Sequence, residues 1–243
     1  MHTSWDASWQ GMVESEPPDL EAPVLENAID ALKMTFLRPV LPSQGVAVEI
    51  GCGSARLLAR VGQAARLGLI AVDTSSVALR VATQTAERNG LTMQCINADA
   101  RSIPLPANSA DLVLSGGLLE HFPNPEFVLR EMIRILKPGG IFYADVVPRK
   151  FSVYRIREAW RMLRTPYLMP GVFESASGPS FYREQLTALG CNTIEIRSCG
   201  VYPPYGTLRL LPLTRVLDGT LFADLLGWYF MIRARKKEDW HSP

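Results

Sequence analysis

From residue 46 to 147 short apolar runs alternate with segments of helical periodicity. The β-type runs are 46–50, 67–72, 93–97, 111–115 and 140–146, and helical patterns lie between them at about 54–64, 75–89 and 124–136. Strand, helix, strand at this rhythm predicts a parallel sheet wrapped by helices on both faces, an α/β fold. Arg88-Asn89-Gly90 puts a glycine where the second helix needs a left-handed cap. Lys137-Pro138-Gly139-Gly140 cannot continue a helix and introduces the fifth strand.

Outside this core, residues 18–38 carry Leu20, Val24, Leu25, Ile29, Leu32 and Phe36 at helical spacing, an amphipathic helix expected to cover the ligand crevice. Residues 148–180 are basic and aromatic, without strand character. A helix at 181–189 and a strand at 192–197 follow, then an apolar helical stretch and a last strand at 228–234. The expected organisation is a single domain over 1–243. Residues 1–45 form a helical cover, 46–147 the ligand-binding core, 148–180 a lid insertion, and 181–243 the C-terminal strands with a helical insertion.

Composition narrows the function classes. Of 243 residues 47% are apolar and 20% charged, ordinary for a soluble globular protein. The net charge of +1 gives no bias toward nucleic acid or an anionic membrane. Cys52, Cys95, Cys191 and Cys199 lack the close spacing of a zinc or redox motif, and a reducing cytoplasm is expected. The N-terminus lacks the basic region and apolar core of a signal peptide. The apolar stretch 208–232 is broken by Arg209, Pro212, Arg215, Asp218 and Asp224, whereas a membrane span needs roughly 20 nearly uncharged residues. Peripheral membrane contact is the most this pattern allows. His2, His121 and His241 are scattered and Asp145 stands alone, so no metal site is expected.

Glu49-Ile50-Gly51-Cys52-Gly53-Ser54-Ala55 sits where the first strand meets the first core helix. Glycines there permit a tight turn and close approach of a ligand, in the crevice where open α/β sheets bind their ligands. A dinucleotide site wants a third glycine at position 56, which is Arg, and no P-loop Gly-Lys-Ser/Thr follows. A ligand without phosphates at the loop, such as S-adenosylmethionine, fits better. Asp73 ends the second strand about 20 residues on, where a carboxylate accepts from both ribose hydroxyls. Its alternative role is to cap the next helix, in competition with Thr74, Ser75 and Ser76. Asp99 and Ala100 follow the third strand, as adenine contacts or as a turn cap.

These strand ends resemble the class I S-adenosylmethionine-dependent methyltransferases, in particular the small-molecule subgroup that includes ubiquinone and menaquinone methyltransferases. The matching residues are Val48 to Gly53; Val72 to Ser75; one motif made of Asn97 to Leu105 and the Ser109 to Val113 run that it precedes; Leu118 to His121; and Leu136 to Gly140. Five ordered motifs across about a hundred residues are far more specific than any one alone. The resemblance implies a Rossmann-like, mostly parallel seven-stranded sheet. Its last two strands form an antiparallel addition. It also implies that Gly51, Cys52 and Gly53 lie against the methionine part, with Glu49 holding its amino group. Asp73 and Thr74 would meet the ribose, Asp99 and Ala100 the adenine, and Ser115 and Gly116 the methyl end. Many members of the family have Gly where Ala55 stands.

The implied activity is methyl transfer to a small organic or lipid-like acceptor, with S-adenosylhomocysteine as product. The alternative is a binding or regulatory protein that keeps the fold without catalysis, against which the intact Gly51, Gly53, Asp73 and Asp99 argue. A nicotinamide oxidoreductase is disfavoured by Arg56. For an oxygen acceptor His121 is the candidate general base, with Glu120 as its orienting neighbour; packing of the loop is the competing role. Phe151, Tyr154, Trp160, Tyr167 and Phe173, among Lys150, Arg155, Arg157, Arg161 and Arg164, make an aromatic wall for an acceptor or an amphipathic lid with a solvated basic face. Leu210, Leu213, Leu217, Leu221 and Leu225 are expected to cover the core, with a dimer face or shallow membrane contact as alternatives. No nucleic-acid partner is expected, and the chain is taken as a monomer or homodimer.

Overall fold

The computed structural model describes residues 6, 9–11, 13, 17–152, 173–201 and 215–240. In chain order the elements are α1 (Leu25–Leu37), β1 (Gln44–Ile50), α2 (Arg56–Ala64), β2 (Arg66–Asp73), α3 (Ser76–Arg88), β3 (Met93–Asn97) and β4 (Ala110–Gly116). They continue with α4 (Pro125–Ile135), β5 (Leu136–Val146), α5 (Pro179–Ala188), β6 (Cys191–Cys199), α6 (Leu221–Leu226) and β7 (Tyr229–Lys236). The strands form one sheet in the order β3-β2-β1-β4-β5-β7-β6. β7 inserts between β5 and β6 and is antiparallel to both. β6 therefore runs with the core strands, and β7 alone is reversed.

Central strands are buried on both faces because helices cover both. Leu112 and Leu114 join a core with Leu37, Leu58, Val61 and Tyr143, while Val113 and Phe142 join Leu129, Met132 and Tyr182 on the opposite side. α1 is shorter than its apolar periodicity suggests. Pro17, Pro18 and Pro23 precede it, Val24 is extended, and Pro39 lies just past its end. α3 ends as expected. Gly90 takes φ +66°, with Gly90 N–H donating to Glu87 O and Leu91 N–H to Ala86 O, the Schellman pattern.

β5 begins four residues before the expected start. Leu136, fully buried, already pairs with Ala110, and the register then jumps to Leu112–Ile141, so Lys137 to Gly140 bulge out of the ladder with Gly139 at φ +74°. Lys236 locks the end of β7 to this corner. Its buried ammonium donates to Asn108 Oδ1 (2.9 Å), Ile133 O (2.8 Å) and Leu136 O (2.7 Å).

The expected core cover of the late leucines is not what α6 provides. Ala223 packs inward, whereas Leu221, Phe222 and Leu225 are exposed. Tyr154, Trp160 and Tyr167 of the expected lid, with Arg155, Arg157, Arg161 and Arg164, and Leu210 and Leu213 lie outside the described residues. Among the described residues no helix is long and apolar enough to cross a membrane, and no three His, Cys, Asp or Glu side chains gather as a metal site.

Candidate active site

β1 pairs with β2 on one side and β4 on the other, so the strand order reverses there and opens a crevice at the strands' carboxyl ends. A cavity of about 390 Å³ fills it. Its walls include Glu49 to Ser54 after β1, Val72 to Thr74 after β2, Ala98 and Ala100 after β3, and Gly116 to Leu118 after β4.

The Gly loop is built to close on itself. Gly51 and Gly53 take φ +66° and +51°. A Cβ on Gly51 would stand 2.7 Å from Leu118, and one on Gly53 2.7 Å from the Trp9 ring. Ala55, the N-cap of α2, is also left-handed at φ +53°, which accounts for glycine in relatives of this motif. Gly51 and Cys52 donate their N–H groups to Val72 O (2.8 and 3.1 Å) and Gly53 donates to Asp73 Oδ2 (3.0 Å). Ala55 N–H goes to Cys52 O. A phosphate-binding loop needs such groups aimed at its ligand; here the end of β2 consumes them.

Charge points the same way. The cavity is lined by the acids Asp30, Glu49 and Asp73 and the bases Lys33 and Arg56. Arg56 is engaged by Asp30 Oδ2 (3.0 Å) and Asn27 Oδ1 (2.6 Å). Glu49 is 4% exposed, and its Oε2 accepts from Leu58 N–H (3.2 Å). Burial, opposed by that hydrogen bond, pushes its carboxyl up to about 8. An added cation beside it would restore the ionised form, whereas a pyrophosphate would face acids at both ends of the cavity. Asp73 accepts from Gly53 and Ser75 N–H, and burial raises its carboxyl as well. Ser75, with its hydroxyl on Ala78 N–H, is the cap of α3. Asp73 thus remains beside the cavity, bracing the Gly loop.

His121 lines the opposite wall, in a 3-10 turn at Leu119–His121. Its Nδ1 lies 2.9 Å from Phe173 O. A carbonyl only accepts, so Nδ1 carries the proton and Nε2 is the basic nitrogen. Burial lowers its pKa, keeping the ring neutral at pH 7. The orienting group is therefore Phe173 and not Glu120, whose Oε1 accepts from Val147 N–H (3.2 Å). Glu120 is 1% exposed; burial pushes it up to about 8, and Oε2 has no hydrogen-bond partner among the described residues.

Glu49, Gly51, Cys52, Gly53, Asp73, Thr74, Ala100, Gly116 and His121 all line the one cavity. Asp99 and Ser115 do not. Asp99 bends back onto Arg101, accepting from its backbone N–H (2.8 Å) and from its guanidinium (2.6 Å at Nη2), on the exposed side of the turn. Ser115 alternates with Gly116 along β4, so its buried hydroxyl points to the sheet's other face. Sequence reasoning missed Trp9, Asp30, Lys33, Leu118 and Phe122. A signal existed for two of them. Asn27, Asp30 and Lys33 recur every three residues, a polar stripe on a helix otherwise patterned for burial.

The chain is similar to several proteins named as methyltransferases, and it shares its fold with a [4+2]-cyclase as well, across 96% of this chain and 94% of that one, with TM-score 0.64 and 22% identity. Residues 48–144 match a family described as a methyltransferase domain. A ubiquinone biosynthesis O-methyltransferase of Cereibacter sphaeroides is 30% identical over 132 residues, covering 52% of each chain. An uncharacterised chloroplastic methyltransferase of Arabidopsis thaliana is 30% identical over 104 residues, 40% of this chain and 30% of that one. The chain thus spans about half or less of the length of these curated relatives. A putative S-adenosylmethionine-dependent methyltransferase of Methanococcus maripaludis shares the fold across 100% of this chain and 98% of its own, with TM-score 0.61 and 19% identity.

Proposed function

We propose that this chain, a class I S-adenosylmethionine-dependent methyltransferase of the small-molecule type by motif and fold, methylates a hydroxyl oxygen on a small, largely apolar acceptor. The observation that carries the cofactor half is the Gly loop, whose N–H groups are spent on β2 inside an acid-lined cavity. That chemistry suits a cationic nucleoside and opposes a dinucleotide. The cofactor supplies an electrophilic methyl on sulfur. The protein's task is then to align the nucleophile and take its proton.

In this reading Glu49 receives the ammonium of the methionine part, with Gly51, Cys52, Gly53 and Gly116 packed against it. Asp73, with Thr74 beside it, accepts from the ribose hydroxyls through the lone pairs that Gly53 and Ser75 leave open. Ala98, Ala100 and Phe122 form the apolar slot for the adenine, its polar edge being read by backbone groups. Asp99 can reach the adenine only by leaving Arg101, and Ser115 acts only through the backbone. His121 Nε2 accepts the acceptor's hydroxyl proton. A neutral imidazole with its other nitrogen fixed supports that role, as does similarity to O-methyltransferases. A cytoplasmic location belongs to the same reading, supported by four unpaired cysteines.

Calorimetry with S-adenosylmethionine, S-adenosylhomocysteine and NAD tests the cofactor, and a labelled-methyl assay on hydroxylated aromatic acceptors and host extract tests the chemistry. Binding of the first two and not NAD is expected, with label on oxygen. NAD binding alone would overturn the cofactor half. Label found only on nitrogen or carbon would overturn the choice of oxygen, and binding without transfer to any acceptor would favour a regulatory protein.

A further inference from the structure

Several stretches of chain meet behind His121, and one buried carboxyl lies at their junction. Phe173 O holds the imidazole (2.9 Å), and two residues further on Ser175 N–H donates to Glu120 O (2.7 Å). Ser175 O in turn accepts from Arg149 N–H (2.8 Å), and Val147 N–H donates to Glu120 Oε1 (3.2 Å). The circuit runs from the 119–121 turn to 173–175, across to 147–149, and back to the turn through the Glu120 side chain. The carbonyl that orients His121 therefore belongs to a segment that Glu120 ties down twice. Its backbone accepts from that segment directly, and its carboxyl holds the stretch that pairs with it.

Tyr182 and Ser175 bound the other side of the carboxyl. Tyr182 is fully buried on α5; burial and the Glu120 charge raise its phenol, and Ser175 lowers it. Glu120 Oε2, Ser175 Oγ and Tyr182 OH are all buried without a hydrogen-bond partner among the described residues. Buried polar oxygens are seldom left unsatisfied, and one bound water would serve all three. A neutral carboxyl fits this seat. Oε1 accepts from Val147, and a proton on Oε2 has hydroxyl oxygens to go to. A carboxylate fits it poorly, since no full positive charge is bonded to it. Asp145 on β5 repels a carboxylate here, and burial outweighs the attraction of Lys33 on α1. Tyr182 and His121 are both neutral at pH 7. Arg149 and Glu174 are the charged residues on the tied segments.

We propose that Glu120 is a positioning residue: its carboxyl, seated between Val147 N–H and the Ser175 and Tyr182 hydroxyls, clamps residues 173–175 to the turn and so holds the His121 imidazole with Nδ1 protonated. This rests on the reading of His121 as base given above. The carboxyl ionises as pH climbs through about 8. A buried carboxylate beside Asp145 is relieved by admitting water, which separates 173–175 from the turn. The imidazole then loses its fixed tautomer.

Nitrogen-15 NMR of the full chain reads the imidazole directly, with His121→Ala identifying its signals among the three histidines. The unaltered protein should show the Nδ1–H tautomer at neutral pH and lose it above about pH 8. Glu120→Gln, an amide of the same shape that accepts and donates but does not titrate, should keep that tautomer beyond about pH 9. Glu120→Leu should lose it at every pH. Turnover of Glu120→Leu on an oxygen acceptor should fall by about 10- to 100-fold, the scale of a misplaced reacting group, with S-adenosylhomocysteine affinity within about threefold. Glu120→Leu strands Val147 N–H, and where it does not fold the pH series of Glu120→Gln decides alone. A tautomer lost at the same pH in Glu120→Gln as in the unaltered protein, or one that survives in Glu120→Leu, overturns the clamp. The spectra need neither cofactor nor acceptor, so failure of the cofactor reading shows separately, as absent binding of S-adenosylhomocysteine.

Discussion

Raising the pH from 7 to 9 should reverse the proton traffic that accompanies cofactor binding. In the proposed site, where Glu49 pairs with the cofactor's ammonium, Glu49 is the group responsible. Without ligand, burial pushes its carboxyl up to about 8; Lys33 draws it down, and Asp30 and Asp145 push it further up. The ligand's α-amino group ionises in the same range, with a pKa of about 7.7–8.0. At pH 7 Glu49 is therefore about 90% protonated and the ligand about 85% ammonium. Forming a carboxylate–ammonium pair releases about 0.9 proton from Glu49 and takes up about 0.1 on the ligand, a net release of about 0.8. At pH 9 both fractions invert, and the complex takes up about 0.8 proton. The crossing lies near pH 8, where affinity is greatest, and binding at pH 6 should be roughly tenfold weaker than at pH 7. Calorimetry with S-adenosylmethionine in buffers of different ionisation enthalpy reads the proton number directly. Glu49→Gln should abolish the release at pH 7 while sparing methylthioadenosine binding. A flat proton number in the unaltered protein, or a release that persists in Glu49→Gln, would refute the pairing.

Three further outcomes follow from other parts of the molecule. If the acceptor is the hydroxyl proposed above, His121→Ala should lower turnover on it by about 10²- to 10⁴-fold while leaving S-adenosylhomocysteine affinity unchanged; because burial lowers its pKa, the unaltered protein should hold its turnover number below pH 6.5, and a turnover number indifferent to the substitution removes His121 as base. Lys236→Met leaves Ile133 O, Leu136 O and Asn108 Oδ1 without their donor, so urea unfolding should show a loss of about 2–4 kcal/mol, and a change under about 1 kcal/mol contradicts the role given to this lysine. Glu49 and Glu120 both rise from 4.5 to about 8 on folding, so the native state binds more protons than the unfolded chain in that window. Their stabilisation is complete below about pH 4.5 and lost as pH climbs through 8, so ligand-free melts should occur at lower temperature at pH 8.5 than at pH 6, and Glu49→Gln/Glu120→Gln should flatten the difference.

Much of the frame was legible because its causes are local. Alternating runs and turn chemistry located β1 to β5 and their helices within a few residues, and Gly90 and Gly139 stand where a left-handed backbone was needed. The Gly loop and Asp73 were legible by spacing from the ends of two adjacent strands. Boundaries slipped where tertiary pairing decided them. Leu136 entered β5 because Ala110 was there to pair with it, and β7 crossed to the inside of β6, which no local pattern announces.

The site divides along the same line. Sequence by itself determined the type of ligand crevice: glycines at a strand end, an acid 20 residues on, and no lysine or third glycine for phosphates. Tertiary structure decided which side chains enter it. It turned Asp99 onto Arg101, sent the Ser115 hydroxyl to the other face, and exchanged Glu120 for the Phe173 carbonyl as the partner of His121. It also brought Lys33 to Asp145 across 112 residues. Periodicity reports which face of an element is apolar, because neighbouring residues share that element. Whether two polar groups meet depends on how separate elements pack, and there the cost of burying an unpaired charge selects the partners.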